Sequence, residues 1–218
     1  MDSSNKTFHR SLFLAGPAGR LEALLWTSRS GEPARTALVC HPHPLFGGTM
    51  HNKVAFQAAK SLQRAGLPVL RFNFRGAGLS EGEHDRGRGE QDDVRCALDF
   101  LSAEFPGRPV VLAGFSFGAW VGLRVGAQDA RVSHLIGLGI PVNDSDFSYL
   151  RGCNKAKFFL VGTRDEFALR DRVESLFASL PQPKQLTFVE DADHFFTGRL
   201  HEVDRALTAW MEEQSLAR

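Results

Sequence analysis

The stretch from residue 109 to residue 120 constrains the fold more than any other part of this sequence. Apolar residues at 110–113 run into Gly114-Phe-Ser-Phe-Gly118, and a helical pattern continues from there. This order predicts a buried central strand, a tight turn at Ser116 and a helix that packs back on the strand. Only glycine leaves room for strand and helix to approach this closely on both sides of the serine.

Ser116 is the candidate nucleophile of this unit. The turn is expected to hold it in a strained backbone conformation and to place its hydroxyl beside the helix N-terminus, where free N–H groups favour negative charge. The alternative is a flexible loop that matches a five-residue pattern by chance. The strand pattern before the motif and the helix pattern after it favour the nucleophile.

Strand and helix patterns alternate through the rest of the chain. A hairpin is predicted within residues 10–28, and further strands at 36–40, 68–74, 134–140, 156–161 and 185–189. Helical spacing of apolar residues covers 52–66, 90–104, 171–180 and 200–211. The sequence therefore predicts an α/β fold, a mostly parallel twisted sheet of about eight strands with helices on both faces, entered by an antiparallel hairpin.

Composition sets the broad class of the protein. The 218 residues are 43% hydrophobic and 23% charged, which predicts one compact domain over residues 1–218. A formal net charge of +1 gives no electrostatic reason to expect nucleic acid or an anionic membrane as a partner. The first ten residues lack the apolar core of a secretory signal, and no apolar run is long enough to cross a bilayer.

The three cysteines are too few and too scattered for a disulfide framework, and they suit a reducing cytoplasm. Cys40 and Cys96 fall in strand and helix patterns and are expected in the core. Cys153 lies in a Gly-Cys-Asn turn and is expected to be exposed.

A serine hydroxyl needs a base, and His194 is the candidate. It follows the last predicted strand in Asp-Ala-Asp-His-Phe-Phe at 191–196. A histidine serves as a base near neutral pH. The alternative is a surface histidine at a helix start, but His41, His43 and His51 all precede the serine motif, whereas His194 lies at a strand end after it.

The base needs an acceptor that fixes its tautomer. Asp165 follows the strand at 156–161 and lies between serine and histidine in the chain. The alternative for Asp165 is a solvated carboxylate that caps the next helix. The rival acceptors are Glu166, Asp144 and Asp146, while Asp193 adjoins the histidine and is poorly directed to orient it. The chain order Ser116, Asp165, His194 is that of a serine, acid and histidine triad with every member at a strand end.

An acyl-transfer transition state also needs donors for its oxyanion. One is expected to be the backbone N–H of Phe117. The other is expected from the loop 41–50, where Gly47 and Gly48 allow a sharp turn; Leu45 is the first choice and His43 the second.

The histidines of this loop could also be interpreted as a metal cluster of His41, His43 and His51. Zinc sites usually add a carboxylate or cysteine, and none is evident beside them. Prolines at 42 and 44 favour a rigid loop instead, so neither a metal nor a cofactor is expected.

Together these residues resemble the α/β-hydrolase superfamily, and in particular its small bacterial lidless serine hydrolases. The resemblance rests on an HPHP-x-x-GG loop at 41–48, an Asn-Phe-Arg-Gly turn at 73–76, the serine motif at 114–118 and Ala-Asp-His-Phe-Phe at 192–196. It covers almost the whole chain. Serine aminopeptidases and dienelactone hydrolases are similar more distantly, and the latter typically carry cysteine at the nucleophile position.

The resemblance implies an open site. Hydrolases with lids usually insert them after the sixth strand, and only residues 141–154 are available here, too few for a helical cap. A site open to solvent argues against interfacial action on long-chain lipids. An apolar pocket wall is expected from His43, Phe46, Phe115, Phe117 and Phe195, with Phe147 as a further candidate.

The expected function is hydrolysis of small carboxylic esters through an acyl-enzyme. The first alternative is an amide or aminopeptidase-like hydrolase with the same triad, in which Glu81, Glu83 and Asp85 could meet an amino group. The second is a non-catalytic binding protein on the same fold. The roles of the charged loop 81–89 and of Arg75 stay open at this stage, as do the oligomeric state and the acyl chain length.

Overall fold

The computed structural model describes residues 7–28 and 32–216. The eight strands of its sheet are β1 Thr7–Gly16, β2 Gly19–Ser28, β3 Thr36–Cys40, β4 Val69–Phe72, β5 Val110–Phe115, β6 Val132–Leu138, β7 Ala156–Gly162 and β8 Lys184–Val189. The α-helices are α1 Lys53–Arg64, α2 Gly89–Glu104, α3 Phe117–Gln128, α4 Arg170–Ser179 and α5 Leu200–Glu213. Short 3-10 helices cover Pro44–Phe46 and Ser148–Gly152.

The sheet order is β1-β2-β4-β3-β5-β6-β7-β8. β1 pairs with β2 and β2 with β4 in antiparallel fashion, and all later pairs are parallel. The predicted fold class, with its entry hairpin and mostly parallel sheet, is confirmed. The carboxyl ends of β3 to β8 therefore lie along one edge of the sheet.

Apolar side chains cover both faces of the sheet. On one face, Leu98 of α2 and Leu123 of α3 belong to one buried cluster. On the other, Leu62 of α1 and Trp210 of α5 belong to a second. The predicted helical stripes are thus buried, and this burial of apolar area is the main contribution to folding.

The predicted turn at the serine motif is present. Ser116 has φ 53° and ψ −121°, a conformation that costs an L-residue energy. A Cβ added at Gly114 would lie 2.4 Å from the Gly118 carbonyl oxygen, and one at Gly118 would lie 2.3 Å from the His41 carbonyl oxygen. Both contacts are with backbone, so the two glycines are required for α3 to approach β5 and β3.

Element ends differ from the predictions where a backbone turn intervenes. β6 begins at Val132, two residues before the predicted start. It also ends two residues before the predicted end, at Leu138, because Gly139 takes φ 50° and leaves the sheet. β5 extends to Phe115, directly before the strained serine.

One cysteine expectation is wrong. Cys153 is 4% exposed, because it ends the 3-10 helix Ser148–Gly152 and faces the core beside Leu150 and Phe147. Cys40 is buried as predicted, whereas Cys96 is half-buried at the margin of the core. None of the described helices combines the length and the apolar character needed to cross a membrane. The interpretation of the N-terminus as lacking a secretory signal falls largely on residues 1–6, outside the described part.

Candidate active site

Four loops at the carboxyl edge of the sheet converge on one cavity. They follow β3, β5, β7 and β8, as the strand pattern predicted, and carry His43, Ser116, Asp165 and His194 in turn. Two further loops also reach the cavity, the loop after β4 through His84 and Arg86 and the loop after β6 through Asp144 and Asp146. The cavity measures about 710 Å³.

The structure brings Ser116, His194 and Asp165 together. His194 Nε2 lies 2.9 Å from Ser116 Oγ, and His194 Nδ1 lies 2.9 Å from both carboxylate oxygens of Asp165. Because an ionised carboxylate only accepts hydrogen bonds, the proton belongs on Nδ1 and leaves Nε2 free to accept from the serine hydroxyl. His194 and Asp165 are 2% and 3% exposed, so little water competes for these bonds.

Packing fixes the orientation of the His194 ring. Its centroid lies 4.7 Å from that of Phe167, 5.1 Å from Phe115 and 5.2 Å from Phe195. On the remaining side, a Cβ at Gly139 would lie 3.2 Å from the ring. The imidazole is therefore held between the loops that follow β6, β7 and β8.

Asp165 is the carboxylate that meets the histidine, and its rivals have other places. Asp165 Oδ1 also accepts from the Phe167 N–H at 2.9 Å, which fixes the carboxylate. Asp193 accepts from the Thr197 N–H instead. Asp144 and Asp146 line the cavity without contacting His194.

The amides near Ser116 point to a different oxyanion donor from the first choice. The Leu45 N–H donates to His43 Nδ1 at 3.2 Å, and the Leu45 side chain is 70% exposed outside the cavity. The N–H groups of His43 and Phe117 donate to no other described residue. Of the two residues weighed for this loop, His43 is the one with an uncommitted amide.

A second buried histidine, His41, fixes this loop to the sheet. Its Nε2 accepts from the Phe74 N–H at 2.9 Å, and its Nδ1 lies 2.6 Å from the Pro42 carbonyl oxygen. The pKa of His41 is lowered to about 3, mainly because burial disfavours the charged ring; the Pro42 carbonyl opposes this shift and the nearby His43 adds to it. His41 is thus a neutral ring that ties the end of β3 to the end of β4.

The far end of the loop is held by the same neighbouring strand. The Met50 N–H donates to Asn73 Oδ1 at 2.7 Å, and Arg71 Nη1 donates to the Met50 carbonyl at 2.6 Å. Between the two ends, a Cβ at Gly48 would lie 2.2 Å from the Pro42 carbonyl oxygen. The HPHP loop is a rigid, backbone-bonded turn, as its prolines suggested.

The cavity wall agrees only in part with the predicted one. His43, Phe46, Phe117 and Phe195 line it. Phe115 is fully buried behind His194 and does not line it, and neither does Phe147, which is 3% exposed. The sequence interpretation missed Trp120, Phe167, His84 and Arg86. Trp120 had a usable signal, because it lies one helical turn after Ser116 on the same face.

The loop after β4 is organised by two buried acids of α2. Arg75 forms a buried ion pair with Asp93, with Nη2 and Oδ1 2.7 Å apart, so it anchors the loop and does not meet the cavity. Glu90, also fully buried, accepts from the Asp85 N–H at 2.8 Å and from the Gly87 N–H at 2.7 Å.

The predicted acidic group Glu81, Glu83 and Asp85 lies outside the cavity, and Glu81 pairs with Arg20. The charged loop thus contributes side chains to the site through His84 and Arg86 alone.

His41, His43 and His51 do not form a metal-binding set. His41 uses both ring nitrogens on the backbone, and His43 Nδ1 accepts from Leu45. Within residues 7–28 and 32–216, no three His, Cys, Asp or Glu side chains come close enough to hold an ion.

A family model described as an alpha/beta hydrolase domain matches residues 36–215. The chain belongs to this family. A Rickettsia prowazekii protein of uncharacterised function is 35% identical over 209 residues, covering 92% of this chain and 87% of the relative. The sheet and helices described above are therefore the fold of the alpha/beta hydrolase family.

Solved structures of two bacterial proteins are closely similar. An alpha-beta serine hydrolase homologue from Coxiella burnetii superposes with a TM-score of 0.87 at 35% identity, covering 92% of this chain and 96% of that one. A serine hydrolase without a lid from Xanthomonas campestris also gives 0.87 at 35% identity, covering 94% of each chain. An esterase domain from Rhodothermus marinus, at 20% identity and a TM-score of 0.74, shares the fold. The hydrolase has the lidless form: only a loop and the 3-10 helix Ser148–Gly152 lie between β6 and β7.

Proposed function

We propose that this hydrolase cleaves small carboxylic esters through an acyl-enzyme formed on Ser116. The observation that carries the proposal is the unbroken chain of 2.9 Å contacts from Ser116 Oγ through His194 to the Asp165 carboxylate. Such a chain activates a hydroxyl that is otherwise a poor nucleophile.

In the first half-reaction, Ser116 Oγ attacks the ester carbonyl carbon while its proton moves to His194 Nε2. The Asp165 carboxylate stabilises the imidazolium that results. When the tetrahedral intermediate collapses, His194 gives this proton to the leaving alkoxide and an alcohol departs. Water then attacks the acyl-enzyme with His194 as base again, which releases the acid and restores Ser116.

The oxyanion of both intermediates is proposed to accept from the N–H groups of Phe117 and His43. Phe117 follows the nucleophile at the start of α3, where the helix dipole adds to the effect. His43 takes the place first assigned to Leu45, since the Leu45 N–H already donates to the His43 ring. Donors fixed by the backbone cost no reorganisation during the reaction.

An amide or aminopeptidase-like substrate is the second candidate. The acids first considered for an amino group, Glu81, Glu83 and Asp85, lie outside the cavity. One exposed acid, Asp144, does line it and forms no ion pair with a described residue. Comparing an amino acid ester with its amide analogue would separate the two candidates.

Labelling with a fluorophosphonate, followed by mass spectrometry, tests the nucleophile without a guess about substrate. A single adduct on Ser116, absent in Ser116→Ala, is expected, together with loss of hydrolysis of short-chain esters. Retained hydrolysis in folded Ser116→Ala would disprove the assignment. No adduct on the folded wild-type protein would favour a non-catalytic role.

We also propose that residues 1–218 act as one domain in the cytoplasm. All three cysteines are free thiols, which suits a reducing compartment. Cell fractionation with an antibody against the protein would test the location.

A further inference from the structure

A guanidinium without a partner stands at the wall of the cavity. Arg86 is exposed, lines the cavity and forms no hydrogen bond or ion pair with any described residue. Arg75, which precedes it in the same loop, is paired with Asp93. An unpaired cation facing a ligand cavity is a candidate contact for an anionic group.

The backbone is built to put Arg86 there. Its φ of 53° is unfavourable for an L-residue, and the residues on either side are held by one carboxylate. The two oxygens of Glu90 accept from the Asp85 and Gly87 N–H groups, so the peptide chain must bulge outward between them. A Cβ at Gly87 would lie 2.3 Å from the Trp120 ring, which shows how closely this bulge is seated on α3. Arg86 is therefore presented by a fixed turn.

Two imidazoles extend the same wall. The rings of His43 and His84 lie 4.6 Å apart, and His43 is 4.7 Å from Phe117. His84 Nδ1 lies 2.8 Å from Glu90 Oε1 but off the line of a hydrogen bond, so the buried carboxylate contacts the ring without a hydrogen bond. His43 Nδ1 accepts from Leu45, which leaves its Nε2 as the donor.

The sheet order decides which part of an ester can reach this wall. The loops after β4 and β3, with Arg86 and His43, lie on one side of β5, while His194 comes from β8 on the other side. The leaving oxygen must take its proton from His194, so the alcohol part belongs on the β8 side. A group that reaches Arg86 therefore belongs to the acyl part.

We propose that Arg86, with His43 and His84 beside it, binds a carboxylate on the acyl part of the substrate. The preferred substrates are then monoesters of dicarboxylic acids, which are cut at the esterified end. This inference rests on the proposed esterase function and names its substrate class.

The backbone of Asp146 lies across the Trp120 ring from the turn that carries Arg86. The Trp120 indole N–H donates to the Asp146 carbonyl, while the opposite edge of the ring meets Gly87. The Asp146 carboxylate accepts from Ser148 and lies 3.6 Å from Arg124, so it is already engaged. Of the two acids that line the cavity, only Asp144 has no partner among the described residues. The competing hypothesis is that Asp144 binds an amino group on the substrate.

The test compares monoethyl adipate with ethyl hexanoate, which match in chain length and differ in the terminal carboxylate. The wild-type enzyme is expected to prefer the half-ester in kcat/KM, and added salt should reduce this preference. Arg86→Gln should lower the ratio of the two kcat/KM values about tenfold, and Arg86→Lys should restore part of it. Adipate should also inhibit ethyl hexanoate hydrolysis more weakly in Arg86→Gln than in the wild type.

Arg88→Gln is the matched control. It removes the same charge at a position two residues from Arg86, and the Arg88 side chain does not line the cavity. It should leave the ratio unchanged. Asp144→Asn should keep or raise the ratio; a specific loss on amino acid esters in that variant would overturn the proposal in favour of a cationic substrate group.

The failures of the two proposals are distinguishable. If Ser116 is labelled and ethyl hexanoate is cut without any preference for the half-ester, the subsite proposal is wrong and the esterase function stands. An equal fall of both rates in Arg86→Gln would also refute the subsite. If Ser116 is not labelled and neither ester is cut, both proposals fall.

Discussion

His41 and His194 are both buried histidines at the carboxyl edge of the sheet, and each uses both ring nitrogens. The partners of His41 are a backbone N–H and a backbone carbonyl, whereas those of His194 are a serine hydroxyl and a carboxylate. A backbone pair can only hold a neutral ring in place. A hydroxyl and a carboxylate allow a proton to enter the ring and leave it. The comparison shows that the partners, and not the burial, separate a structural histidine from a proposed catalytic one.

The largest expected effect of changing either histidine is loss of turnover in His194→Ala. We expect kcat to fall by about five orders of magnitude, because Ser116 loses its base while the fold keeps its other contacts. Steady-state ester hydrolysis and circular dichroism would measure the two quantities. A folded variant with kcat within tenfold of the wild type would show that the distinction drawn above is false.

Asp165→Asn should reduce kcat by about three to four orders of magnitude. An amide at this position favours the wrong tautomer of His194 and does not stabilise the imidazolium. Asp144→Asn is the control for removing a carboxylate from the same edge of the sheet. If ethyl hexanoate hydrolysis suffered more from Asp144→Asn than from Asp165→Asn, the acid would belong one strand earlier.

His41→Ala should act mainly on stability. It leaves the buried Phe74 N–H without its acceptor and opens a cavity, so the free energy of unfolding should fall by about 2–4 kcal/mol. A smaller loss in kcat, about tenfold, should follow from the loosened amide of His43. Urea unfolding and ester hydrolysis, with His41→Gln as the variant that keeps an acceptor, would check the order of effects. A larger loss in kcat than in His194→Ala would reverse the assignment of the two rings.

At neutral pH the smallest effect is that of the His41 proton, which becomes large only in acid. The folded pKa of His41 is lowered to about 3, mainly by burial, while the unfolded value is near 6.5, so only the unfolded state binds this proton between these pH values. Stability should therefore fall as pH drops below 6.5, by about 1.4 kcal/mol per pH unit for this group. The pKa of His134 is lowered to about 4 by burial and by the charge of Arg35. This histidine therefore also lowers the free energy of unfolding in acid, by a smaller amount than His41. Unfolding curves for His41→Gln should show a shallower dependence over this range; an unchanged slope would contradict the prediction.

The sequence was sufficient where periodicity and chain order decide the outcome. The alternation of strands and helices predicted the sheet, and the chain order placed Ser116, Asp165 and His194 at strand ends that the fold then brings together. Their catalytic roles stay predictions.

The sequence was insufficient where the direction of one backbone group matters. The HPHP loop turns as it does because Gly48 lies against the Pro42 carbonyl and the His43 ring accepts from the Leu45 N–H, contacts that no local pattern reveals. Phe115 was expected in the pocket, but its place at the end of β5 directs it behind His194. Arg86 lay in a charged loop whose role stayed open, since the buried carboxylate of Glu90 that shapes the turn comes from the following helix.

The way Glu90 holds this turn has a consequence for how the protein can diversify. Its hydrogen bonds go to the main chain of Asp85 and Gly87 and make no use of the side chain between them. Position 86 can therefore change its chemical character without dissolving the turn, provided that the new residue tolerates a left-handed backbone. Under the proposed subsite, a change in a single codon would be enough to alter which molecules this hydrolase accepts, while the proposed machinery at Ser116 is inherited intact.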